Sequence, residues 1–118
     1  EPYKSEIGAF WRFKNKQIAK ESSDKIFSMF LNYLEQNDFV GADMARKYLQ
    51  MGFTRARRYY NYKGGKKYDK SQNYDTLPKG TGDPEKALAA EIFYEKWRLA
   101  EANDKYARLK KGWKENIG

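Results

Sequence analysis

Apolar residues return every three or four positions along most of this chain, and that rhythm admits few folds. From Asn15 to about Gln36 the series is Ile18, Ala19, Ser22, Ile26, Met29, Phe30, Tyr33 and Leu34, the spacing of one face of an α-helix. Phe27 and Leu31 widen the stripe, which predicts a helix touched from two sides near the centre of a bundle. Asn37 tolerates a left-handed backbone and Asp38 offers a carboxylate to the amides that follow, so the pair marks a boundary. A second helix is predicted from Phe39 to Tyr60 or Tyr62. Its core face holds Ala45, Tyr48, Leu49, Gly52, Ala56, Tyr59 and Tyr60 when stepped at about 100° per residue. Gly52 in that face either admits another helix at close range or ends one helix so that Thr54 caps a second, as in a helix-turn-helix.

The same reasoning reaches both ends of the chain. Asp83, Pro84 and Glu85 combine a capping carboxylate, a proline at the first helical position and an acid in the first turn. They predict a helix to about Ala102, with Leu88, Ala89, Ile92, Phe93, Trp97, Leu99 and Ala100 on its apolar side. Asn103 and Asp104 cap a last helix to about Asn116, carrying Tyr106, Leu109 and Trp113. The opening EPYKSEIGAFWRFK is too rich in large apolar groups for a loose tail and is expected to pack on the helices. Its alternation of Arg12 and Lys14 with aromatics resembles a stacking surface for single strands, but the stronger reading places Trp11 and Phe13 in the core. Residues 62–83 carry four glycines, one proline and no periodicity. A loop that long in a compact domain is functional or disordered, and it is read here as ordered. With 118 residues, one core suffices. The expected fold is all-α: a single compact domain over residues 1–118, of about four helices, with a long ordered basic loop between the second and third main helices.

Charge is distributed far less evenly than hydrophobicity. Between Met44 and Lys70 stand nine basic residues, Arg46, Lys47, Arg55, Arg57, Arg58, Lys63, Lys66, Lys67 and Lys70, against the single acid Asp69. The chain's net charge is +8, so this segment carries all of it and the other basic and acidic residues cancel. Five tyrosines, Tyr48, Tyr59, Tyr60, Tyr62 and Tyr68, lie in the same stretch. Crowded cations of this kind neutralise phosphates along a nucleic-acid backbone, and exposed tyrosines stack on unpaired bases. For Tyr48, Tyr59 and Tyr60 a place in the core is the stronger reading. The residues assigned to a nucleic-acid surface are therefore Arg46, Lys47, Arg55, Arg57, Arg58, Lys63, Lys66 and Lys67, with Tyr62 and Tyr68 as stacking groups.

Gly64 and Gly65 before Lys66 and Lys67 resemble a phosphate-binding turn. The P-loop spacing and its preceding strand are missing, and a solvated turn is the stronger reading. With no cysteine and no histidine in the chain, disulfides, thiolate zinc sites, cysteine nucleophiles and the usual neutral-pH base are excluded. Glu91 and Glu95 would need Glu-x-x-His partners to form a di-iron site, and are read as a solvated face. No cofactor is expected and enzymatic activity is not. A magnesium nuclease built on Glu35, Asp38 and Asp43, or on Asp69 and Asp75, is the weaker catalytic alternative. The other alternative is an interaction or scaffold module that meets an acidic protein partner. No apolar run reaches the roughly 20 residues of a membrane span, and the composition fits a cytoplasmic protein.

Several blocks together resemble one known family: EPYKSEI with WRFK, DFVGADMARKYLQMGFTRARRY, the KGG and KY that follow, and DPEKALAAEIFYEKW. They cover most of the chain and resemble the bacteriophage and bacterial proteins grouped as domain of unknown function four-three-eight-five. The resemblance implies a small intracellular protein of phage or bacterial origin, located in the host cytoplasm if phage-encoded. It brings no activity or site residues with it. Members of that family carry sequence ahead of the EPYKS block, so the resemblance also implies that an N-terminal portion of the domain lies outside this chain.

Overall fold

A computed structural model describes residues 2–61, 68–69, 75–76 and 85–117. Among them are five helices: α1 (Pro2–Gly8), α2 (Lys16–Glu35), α3 (Phe39–Asn61), α4 (Glu85–Glu101) and α5 (Asp104–Ile117). Between α3 and α4 two short strands, β1 (Tyr68–Asp69) and β2 (Asp75–Thr76), pair antiparallel with Tyr68 opposite Thr76. The all-α class is as expected. The fifth helix is α1, where Pro2 occupies the first position, at which its missing amide costs nothing. The strand pairing falls inside the segment read as irregular loop; the order expected of the remainder of that segment lies outside the described residues.

Each helix boundary follows from local chemistry. Asn15 caps α2, its Oδ1 accepting from the Ile18 amide at 2.9 Å. Asn37 has φ of 56°, the left-handed conformation that ends α2. Asp38 then starts α3, accepting from the Gly41 amide at 3.0 Å. Asn103 does the same for α5 through the Tyr106 amide at 2.9 Å.

Helix α3 is the centre of the bundle, packing against α1, α2, α4 and α5. The expectation that α2 is touched from two sides holds, by α3 and α4, but the helix packed against the most others is α3. The wide stripe on α2 serves its contacts with α3 and α4, while Leu31 at its margin is exposed. The reason α3 can be central is its run of small residues. Gly41, Ala42, Ala45, Gly52 and Ala56 are all buried. A methyl group at Gly52 would fall 2.7 Å from Phe93 Cγ and Cε1, and one at Gly41 would fall 2.6 Å from Tyr33 Cδ1. Gly52 therefore seats the α4 ring, and α3 runs unbroken through it, which removes the helix-turn-helix option. Phe30, Phe93, Ile26, Leu49 and Tyr106 complete the core.

The connector 10–15 is bound to the bundle by Ser22, whose hydroxyl donates to the Phe10 carbonyl at 2.7 Å and accepts from the Arg12 amide at 2.8 Å. Trp11 and Phe13 pack against the core as expected, and the Trp11 indole donates to the Tyr48 carbonyl at 3.0 Å. Lys86 at the start of α4 donates to the carbonyls of Phe13 and Lys14 at 3.0 and 2.7 Å and lies over the Tyr59 ring. The start of α2, the end of α3 and the start of α4 thus meet at one end of the bundle. The end of α2, the start of α3 and the end of α4 meet at the other.

Candidate nucleic-acid interface

Three guanidinium groups, from Arg55, Arg57 and Arg58, crowd the last two turns of α3, and all three residues are exposed. Arg55 and Arg57 are two positions apart, about 200° around a helix, which puts them on opposite shoulders. Arg55 lies over the Trp11 ring, 5.6 Å from guanidinium carbon to ring centre, and Arg57 over Phe53 at 5.8 Å. Such cation–π seating orients the group while leaving its N–H donors free for an anion. Arg58 is in the last turn, where its charge also suits the negative end of the helix dipole. Lys47 stands eleven residues earlier and within about 20° of Arg58 around the helix. Among the described residues none of these four cations is in an ion pair.

Arg46 is placed differently. Its side chain is 16% exposed and bridges Asp43 at 3.1 Å on its own helix and Glu101 at 3.8 Å on α4, and it donates to the Gln50 side-chain oxygen. Asp43 also accepts from the Tyr106 hydroxyl at 2.7 Å, and Glu101 from the Trp97 indole at 3.0 Å. This network joins α3, α4 and α5. Burial first, and the hydrogen bond to Asp43 next, push the Tyr106 hydroxyl well above its ordinary value. Arg46 thus spends its charge inside the fold, at the opposite end from Arg58.

The ten residues read as one surface therefore separate. Lys47 and Arg58 share one side of α3, with Arg55 on the adjoining shoulder over the Trp11 ring. Arg57 faces α4, and Arg46 is internal. Tyr62, Lys63, Lys66 and Lys67 lie outside the described residues; Tyr68 is in β1. Other cations stand at this end: Arg12 and Lys14, noted in the sequence only for their alternation with aromatics, are exposed, as is Lys16, and Lys86 is fixed across the connector. The spacing of cations within a segment of sequence could not reveal them, because they arrive from the N-terminal connector, α2 and α4. The alternation of Arg12 and Lys14 with aromatics was the available signal.

Tyr60 is also corrected. It is 37% exposed rather than in the core, and lines a cleft of about 510 Å³ between α3 and α4 with Phe53, Arg57 and Tyr94. Tyr48 does pack against the core. Two of the carboxylates considered for magnesium have other duties. Asp38 caps α3 and accepts from the Tyr3 hydroxyl at 2.7 Å, and Asp43 holds Arg46 and Tyr106. Among the described residues no three acids gather as a metal site. Nor, among them, is any helix long and apolar enough to cross a membrane.

No curated protein and no solved structure matches this chain. One family model does, the domain of unknown function DUF4385, over residues 1–116. A match across nearly every residue, α1 through α5 included, makes the chain a member of the DUF4385 family.

Proposed function

We propose that the protein binds nucleic acid, chiefly through the phosphate backbone, at the end of the bundle where α3 finishes. One observation carries this reading: Arg55, Arg57 and Arg58 are exposed, and among the described residues no carboxylate pairs with them. Cations placed so are positioned for phosphates. Arg12, Lys14 and Lys16 at the same end enlarge the positive surface, and the adjoining sequence supplies Lys63, Lys66 and Lys67. Arg46 is not part of this surface. A cytoplasmic location, the host's if the protein is phage-encoded, is part of the same proposal.

The test is charge reversal read by fluorescence anisotropy with labelled DNA and RNA. Arg57→Glu with Arg58→Glu is expected to weaken binding at least about tenfold and to flatten its salt dependence by about two units of slope. Unchanged affinity removes both residues from the site. If the unmodified protein binds no oligonucleotide, the reading falls and an acidic protein partner takes its place.

A further inference from the structure

The cleft between α3 and α4 is more than a gap beside the basic end. Phe53, Tyr60 and Tyr94 form its aromatic wall, with Tyr60 and Tyr94 37% and 41% exposed. The Phe53 and Tyr94 ring centres are 5.1 Å apart, and Trp97 supports both rings from behind at 5.9 and 5.8 Å. Trp97 is itself fixed by its hydrogen bond to Glu101. Phe53 and Tyr94 are therefore held in place before anything binds.

Its rim is polar and open to solvent. Arg57, Asn61 and Glu91 all line it, yet Arg57 and Glu91 form no ion pair with each other or with any other described residue. A planar ring with hydrogen-bonding edges and a nearby negative charge matches this set. The two exposed tyrosines supply rings for stacking. Asn61 reads a donor and acceptor edge, the Glu91 carboxylate accepts from an exocyclic amine, and Arg57 meets the phosphate. A base held in a duplex cannot enter, since its faces are already stacked.

Resting on the nucleic-acid reading above, we infer that this cleft takes an unpaired nucleobase of a single strand, so that the protein prefers single-stranded nucleic acid to duplex. The test compares three probes of equal length: a single strand, the same strand with abasic sites, and a duplex. Adenosine monophosphate serves as a fourth. The expected result is tightest binding of the intact single strand, with a loss of roughly fivefold to a hundredfold on removing bases. Tyr94→Ala reproduces that loss, and Tyr94→Phe, which keeps the ring, does not. Equal affinity for all three polymers, still steeply salt-dependent, overturns the cleft reading and leaves backbone binding standing. Saturation by adenosine monophosphate with strand and duplex bound alike overturns it in favour of a free nucleotide. No binding of any probe overturns both readings.

Discussion

Arg46 and Arg58 carry the same charge on the same helix, and their environments give them opposite tasks. Arg46→Ala removes the partner of two carboxylates and is expected to cost roughly 1–3 kcal/mol in chemical denaturation, with oligonucleotide affinity of the folded fraction unchanged. Arg58→Ala is expected to do the reverse, weakening binding with stability altered by less than about 0.5 kcal/mol. Nothing in the sequence separated the two, because the acids that engage Arg46 include Glu101, far along the chain, and the Asp43 nearby gave no sign of its orientation. Tyr60 was misplaced for a related reason. It lies at the margin of the α3 core face, and only the position of α4 decides whether that margin is covered. Gly52 was legible in part: its place among apolar neighbours predicted close approach, and Phe93 makes it. Gly52→Ala is expected to destabilise by roughly 1–3 kcal/mol, measured by thermal or urea unfolding.

The tyrosine hydroxyls add a pH dependence. Burial, and then the hydrogen bond to Glu6 at 2.9 Å, push Tyr33 from 10.0 up to about 12. Its folded value is above its unfolded one, so its contribution to stability is fully present below pH 10 and lost as pH rises toward about 12. Tyr33→Phe is expected to flatten that alkaline decline when unfolding is followed against pH. Asp24 behaves in the opposite sense. Burial raises it, but the ammonium groups of Lys96, at 3.1 Å, and Lys20 outweigh burial and hold it below 3.8. Its contribution is present above pH 3.8 and lost in stronger acid.

At the scale of elements, the sequence was most informative where a boundary depends on neighbouring residues. Asn37 with Asp38, and Asn103 before α5, were legible as a stop and two starts because capping is a contact over three residues. Asn37→Val at a φ of 56° is expected to cost about 1–2 kcal/mol, and Asn37→Gly to be neutral or slightly stabilising. Differential scanning calorimetry distinguishes them. The centrality of α3 was not legible from its apolar stripe, since α2 has the broader one. It follows from residue size: a helix lined by Gly41, Ala42, Ala45, Gly52 and Ala56 lets neighbours approach on several sides, and width of stripe does not report that. The short α1 was hidden because seven residues give periodicity too little length to register. Its stability comes from docking, through Tyr3 to Asp38 and Tyr33 to Glu6.

Across the whole molecule, helix direction turns a cluster in sequence into a cluster in space and also dissolves part of it. Because α3 runs opposite to α2 and α4, its final turns meet the connector and the first turn of α4, gathering Arg12, Lys14, Lys16, Arg55, Arg57 and Arg58 at one end. The same antiparallel arrangement carries Arg46 to the far end, where Asp43 of its own helix and Glu101 of α4 neutralise it. The sequence thus located the segment in which the excess charge is concentrated, but the composition of the basic surface depends on pairings between distant residues. The most direct measurement is the affinity of the unmodified protein for an oligonucleotide as salt rises from about 50 to about 200 mM. If about six phosphates are neutralised, the logarithm of affinity should fall with a slope near −5 against the logarithm of salt concentration, a loss of roughly three decades for duplex DNA. Affinity indifferent to salt, or no binding even at the low end of that range, would contradict it.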